Sequence, residues 1–263
     1  MKTNWGRIWG LAFRNSLADR AAYRGDFFLG FLVTVLFEMV TPLVTVLMYK
    51  TSSGTGFPGW SMPEALLIQA IFLVSRGIAF PFFFALVWTV HQLVREGNFE
   101  LVLLKPRSAL LVCMTKSINI QAFGRLLGGV VLLVWVLGQL PPPSALQYVV
   151  FAALLTLSLL VLFGFVLLMA ATLFVWVGNS RLAELAEALF LFGQYPSSIF
   201  SGGFQLIITL IVPVAMIAAF PAQALLGKDL PLLLPAVPVC FVFFTLSLLF
   251  WRHMIRRYAG AGG

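Results

Sequence analysis

Apolar runs of about 20 residues recur along this 263-residue chain, each long enough to cross a ~30 Å hydrocarbon core as a helix. Lipid offers no water to backbone N–H and C=O groups, so such a chain crosses as helices or as a closed barrel. Barrel strands are ~10-residue alternating segments, and these runs are too long and too uniformly apolar for that. The expected fold is an all-α polytopic membrane protein. Composition agrees: 61% of residues are hydrophobic and 10% charged, against ~45–50% and ~25% in soluble domains.

Six spans are expected, near 27–49, 64–90, 118–137, 148–177, from 185, and 232–251. The turn QLPPPSALQ separates the third and fourth, because consecutive prolines cannot sustain a helix. Before the first span, residues 1–26 interleave Trp5, Ile8, Trp9, Phe13 and Leu17 with Arg7, Arg14, Arg20 and Arg24. That spacing predicts an amphipathic helix lying in the membrane interface, with an irregular basic leader as the alternative. Residues 27–263 are then a single six-span domain, because no polar stretch is long enough to fold alone.

Between the fifth and last spans the chain is broken by Pro196, Gly202, Gly203, Pro213 and Pro221. The apolar part 204–226 is either a seventh span or a re-entrant hairpin, and charge chooses between them. With six spans and both termini cytoplasmic, fourteen of the 17 Lys and Arg residues fall inside. These are Lys2, Arg7, Arg14, Arg20 and Arg24; Arg95, Lys105, Arg107, Lys116 and Arg125; Arg181; and Arg252, Arg256 and Arg257. Lys50 and Lys228 face outside and Arg76 lies within a span. A seventh span would put the basic tail outside, against the positive-inside bias. The expectation is therefore six spans and an outer re-entrant element, in the plasma membrane. The same bias accounts for the net charge of +8: basic span ends meet anionic lipid, and no nucleic-acid partner is implied.

Catalytic and metal chemistry is not expected. There is no GxxxxGK[ST] loop, and the glycine-rich stretch Gly54–Trp60 has no lysine, so the chain itself is not expected to bind ATP. His91 and His253 sit singly at span ends, short of the several ligands a metal requires. Ser201 in SSIFSGG has no base at its own membrane face, which discounts a serine hydrolase. Cys113 and Cys240 form no motif and are read as packing residues. A membrane transferase would need carboxylates or histidines gathered at one face, and nine acidic residues spread over the chain do not supply them.

Two features remain. Glu38 and Arg76 are ionisable residues at similar depth in the first two spans, and neither is cheap to bury alone. They form a mutual ion pair, line a substrate path, or meet a partner subunit. The second feature is the cytoplasmic stretch REGNFELVLLKPRS, with five charges in fourteen residues. Arg95, Glu96, Glu100, Lys105 and Arg107 flank an apolar set of Phe99, Leu101, Val102, Leu103 and Leu104, and Pro106 ends the element. A short amphipathic helix of this kind suits docking into a groove on a soluble partner.

The spacing of Gly97, Leu103, Leu104, Lys105, Pro106 and Ser108 resembles the signature of ABC-2 type transporter permeases, in the bacterial branch of six-span subunits. The basic N-terminal segment, the YPSSIF break at Tyr195–Phe200, the stretch Ile211–Gly227 and the basic C-terminus fit the same pattern, so the resemblance covers essentially the whole chain. It implies a permease that pairs with an identical or homologous second permease and rests on two cytoplasmic ATPase subunits. ATP and Mg would be bound there, and no cofactor by this chain. The 95–108 loop would be the coupling helix seated in an ATPase cleft, with Arg95, Glu96, Phe99, Glu100, Leu103, Leu104, Lys105, Pro106 and Arg107 at the contact. Family members mostly export lipids, glycans or drugs. The stretch EALFLFG matches only the start of the importer EAA loop and is taken as chance. An ATP-independent secondary transporter or channel is the alternative, but such carriers often show inverted repeats and mid-membrane breaks, whereas these breaks cluster at one end.

Overall fold

The computed structural model describes residues 5–21, 24–51, 56–175, 181–230 and 232–258. Lys2, Gly54 and residues 178–180 of the loop after the expected fourth span lie outside the described residues, as do the side chains of Trp5, Arg20 and Arg181. No strand occurs among the described residues. Among the described residues, four helices are long and apolar enough to cross a membrane: Arg24–Thr51, Met62–Arg95, Ala145–Thr172 and Leu233–Ile255.

The N-terminal helix α1 (Trp5–Ala21) packs Phe13 edge-on to Phe123 with ring centroids 6.5 Å apart, and Ser16 Oγ donates to the Ile118 carbonyl at 3.2 Å. The first long helix divides into α2 (Arg24–Glu38) and α3 (Val40–Thr51). Pro42 explains the division. It has no N–H to give the carbonyl four residues back, and its ring clashes there. That carbonyl belongs to Glu38, so the interruption falls at the acidic residue in the middle of the helix.

The second long helix is the centre of the molecule. It runs from α4 (Met62–Ala79) through a widened turn at Phe80–Phe84 into α5 (Leu86–Arg95). Ser61 starts it, its backbone N–H donating to Glu64 Oε2 at 2.9 Å. Almost every residue from Ala65 to Val74 is buried, the mark of a helix enclosed on all sides. The widened turn coincides with Pro81, whose carbonyl is satisfied from outside by the Asn119 backbone N–H at 3.1 Å.

The next helix, α8 (Phe123–Leu137), follows α6 (Glu100–Leu103) and α7 (Ala109–Lys116) and lies between α2 and α4. Two glycines bring α4 and α8 together. A β-carbon on Gly77 would collide with the Leu126 backbone, and one on Gly129 would lie 2.7 Å from the Val74 nitrogen. Small residues permit this backbone approach, and lipid-embedded helices depend on such packing because burial of apolar surface gives them little. With 15 residues, α8 is ~22 Å long, shorter than the hydrocarbon core.

Helix α9 (Ala145–Thr172) begins at Ser144, just after the three prolines, and packs along α13 (Leu233–Ile255). Between them the chain departs from a simple span. The helix α10 (Arg181–Leu191) gives way after 11 residues to single turns at Phe192–Gln194 and Ser197–Ile199, so the expected fifth span is not one continuous long helix. The reason is local: Pro196 cannot continue it, and Gly193 packs its backbone against Val214 and Ile217. Next, α11 (Gly202–Leu206) continues as a widened turn to Ile211, breaks at Val212 and Pro213, and resumes as the buried α12 (Ala219–Leu226). Residues 204–226 are thus two short pieces and not a single span-length helix. The second piece packs on α9 and α4, and Ser158 Oγ of α9 donates to the Met216 carbonyl at 2.7 Å.

Candidate functional site

At the middle of the bundle three charges converge. Glu38 sits at the α2–α3 interruption, Arg76 in the last turn of α4, and Arg125 in the first turn of α8. Arg76 Nη1 donates to Glu38 Oε2 at 3.3 Å, and Arg125 Nε lies 2.9 Å from Oε1. The side chains are 10% (Glu38), 13% (Arg76) and 25% (Arg125) exposed. Arg125 is the member that sequence reasoning missed. The sequence reading places it with the cytoplasmic basic residues, at the start of the third span, whereas the structure brings it to Glu38. Its position a few residues into the apolar run of α8 was the available signal.

Aromatic rings enclose the two guanidiniums. The Arg76 guanidinium carbon lies 5.5 Å from the Phe72 ring centre, 5.3 Å from Phe80 and 5.6 Å from Phe190. That of Arg125 lies 3.6 Å above Phe80. Weakly hydrated, planar guanidinium stacks on such faces and so tolerates partial burial that an ammonium would not. Two cavities flank the triad. One of about 260 Å³ is lined by Glu38, Arg76, Thr41, Gln69 and Gln194 along with Phe37, Leu73 and Leu191. The other, of about 280 Å³, is lined by Arg125, Thr34, Asn119 and Trp88. Gln69 is 2% exposed and donates from Nε2 to Thr45 Oγ1 at 2.7 Å. Arg76 Nε, Arg125 Nε and Gln69 Oε1 are buried and have no hydrogen-bond partner among the described residues, the Arg125 Nε contact to Glu38 being an ion pair.

The charged stretch lies at the far end of the central helix. The Gln92 amide donates to Glu96 Oε1 at 2.9 Å and the Asn98 amide to Oε2 at 3.0 Å, holding the chain as it leaves α5. Gly97 supplies the turn with φ 71°. The structure corrects the reading of Phe99 as part of an exposed apolar face. Phe99 and Val102 are both 0% exposed. The Phe99 ring is 4.7 Å from Phe174 and 5.1 Å from Tyr258, so it ties the loop to the chain after α9 and α13. Alternation along one helical turn leaves Leu101, Leu103 and Leu104 outward, with Leu104 80% exposed. Arg95, Glu96, Glu100, Lys105 and Pro106 are exposed beside them and Arg107 is half-buried. Beyond Pro106, α7 buries Cys113, whose thiol burial pushes up to about 12 in spite of Lys116 and Lys105 nearby. A cavity of about 310 Å³ separates Ile8 of α1 from Lys105, Pro106, Arg107 and Leu111.

At the opposite end of the central helix, Lys228 Nζ is 2.9 Å from Glu64 Oε1 and 4.1 Å from the Trp60 ring centre. Trp60 Nε1 donates to Ser198 Oγ at 2.9 Å, and Tyr49 OH to the Trp60 carbonyl at 2.9 Å. These bonds join the 56–64 segment to the broken 196–228 stretch: Pro196 precedes the Ser198 turn, and Gly202 and Gly203 open α11. No group of His, Cys, Asp and Glu fit to hold a metal occurs among the described residues.

The comparisons with known proteins agree with an integral membrane chain. The family model described as ABC-2 family transporter protein matches residues 35–262, most of the sequence. The chain belongs to the ABC-2 transporter family. Neither the curated proteins nor the solved structures contain a match. Membership makes this ABC-2 protein a transmembrane transport component that is not itself catalytic. The matched region takes in the buried triad, the 95–108 loop and the broken segment before α13, and excludes α1.

Proposed function

We propose that this ABC-2 protein is the permease subunit of an ABC transporter, forming the substrate pathway as a dimer and driven by a separate cytoplasmic ATPase. The observation that carries the reading is the 95–108 loop: anchored inward by Phe99 and Val102, it projects Leu101, Leu103 and Leu104 outward within a rim of charge. An apolar knob held rigidly on its own core is suited to a cleft on a soluble partner. Full burial of these leucines would supply on the order of 1.5–3 kcal/mol each before ordering costs. Arg95, Glu96, Glu100 and Lys105 then set orientation more than strength. Six spans, an inner-membrane location, cytoplasmic termini, an outer re-entrant 204–226 segment and export of a lipid, glycan or drug-like molecule belong to this reading.

The test is co-purification with an ABC ATPase, sought first in the neighbouring reading frames, together with stimulated ATP hydrolysis. Leu101→Asp/Leu104→Asp should insert in the membrane normally and lose both. Wild-type recruitment and stimulation by that variant would rule out the loop as the coupling contact.

A further inference from the structure

The triad itself carries two cations and one anion, and Arg76 is the cation with the longer contact. Glu38 already places one carboxylate oxygen on each guanidinium. Arg125 makes the shorter contact, and it also feels Glu187 of α10, a second carboxylate at longer range. Arg76 makes the longer 3.3 Å contact to Glu38, its buried Nε has no acceptor, as Arg125 Nε has none, and it lines the cavity that Gln69 and Thr41 share. A buried donor without an acceptor is costly in an apolar setting, and an anion seated in this cavity would supply the acceptor. Gln69 Oε1, likewise unsatisfied, requires a donor, which a hydroxyl-bearing acid provides and a simple carboxylate does not. The cavity wall also includes Phe37, which is 74% exposed on the outer face of α2, among a row of exposed apolar side chains on α2 and α3. An occupant can therefore seat a polar head at Arg76 while an apolar tail follows that face.

We infer that Arg76, with Gln69 and Thr41, forms an intramembrane site for the acidic head of an amphiphile, of the phosphate-monoester type. The site would be the head-group contact of the transported molecule, and in that role it rests on the permease reading; binding itself belongs to this chain alone. Arg125 and Glu38 position Arg76 and remain a neutral pair without it.

The probes are a fluorescent phosphatidic acid and the diacylglycerol of the same chains, titrated against the purified full chain in nanodiscs of zwitterionic lipid without ATPase. The phosphatidic acid should bind about tenfold tighter or more, which is ~1.4 kcal/mol. Arg76→Gln should remove that preference, Arg76→Lys should keep part of it, and excess inorganic phosphate should not displace the probe. Equal affinity for the two probes, or a preference that survives Arg76→Gln, overturns the site. Displacement by inorganic phosphate would mean a free-anion site and overturns the amphiphile. Thr41→Asp keeps the triad and places a carboxylate in the cavity, so it carries the same test should Arg76→Gln fail to fold, and a preference that survives it overturns the site. Loss of ATPase recruitment with probe binding intact would fault the permease reading and leave the site standing.

Discussion

Glu38 is the residue on which the buried charges depend. Removing it leaves two guanidiniums without a carboxylate in contact, whereas removing Arg76 leaves one balanced pair. An uncompensated buried charge costs about 3–5 kcal/mol. Glu38→Gln should therefore lower the thermal midpoint of the purified protein far more than Arg76→Gln. Adding Arg76→Gln to Glu38→Gln should recover part of the loss; strict additivity in that double-mutant cycle would mean the charges do not interact. Cys113 gives a second expectation. Its thiol is pushed up to about 12 by burial, and the thiolate is the reactive species. Maleimide should leave it untouched in the folded protein at pH 8 and label it in denaturant; rapid labelling of the native chain would show that the α7 packing opens.

At the scale of the element, the 95–108 loop divides its apolar residues between two tasks. Phe99 fills a pocket between Phe174 and Tyr258, so Phe99→Ala should cost roughly 3–5 kcal/mol through the cavity it leaves. Leu104→Ala, at an exposed position, should change stability by ~0.5 kcal/mol or less while weakening the proposed ATPase contact. Urea or thermal melts of the two variants measure the difference, and similar losses would mean that Leu104 is also built into the fold. The composition of the loop was legible in the sequence, because a Phe-Leu-Val-Leu-Leu cluster between charges is visible at once. Its division was not: over a four-residue helix the period is too short to say which side meets the core, and residues after α9 and α13 decide it. The 204–226 segment was legible in kind, since Pro213 breaks any helix drawn through it. The fate of the fifth span was less so, because α10 ends where Gly193 meets Val214, a contact made across the fold.

For the whole molecule, topology follows from which ends the elements share. The 95–108 loop and the Trp60–Lys228 cluster lie at opposite ends of the 34-residue central helix. Cysteines placed at Lys228 and at Arg257, in a background lacking the two native cysteines, should label from opposite faces of the membrane, Lys228 from outside. Labelling of both from one face would break the six-span arrangement. The sequence alone determined that the chain is helical and membrane-embedded, because run length and hydropathy are set by the thickness of the hydrocarbon layer. It also determined the breaks at the 141–143 prolines and at Pro213, because proline acts on its own backbone, although Pro238 is carried within α13; the 97–108 spacing carried a resemblance to the family. Only the tertiary structure decided that Arg125 joins Glu38 and Arg76, that Phe99 turns inward, and that Gly77 and Gly129 bring α4 and α8 into contact. Each of these is a meeting of residues distant in the chain, and hydropathy, which reports a residue's affinity for lipid, contains nothing about which helix lies beside it.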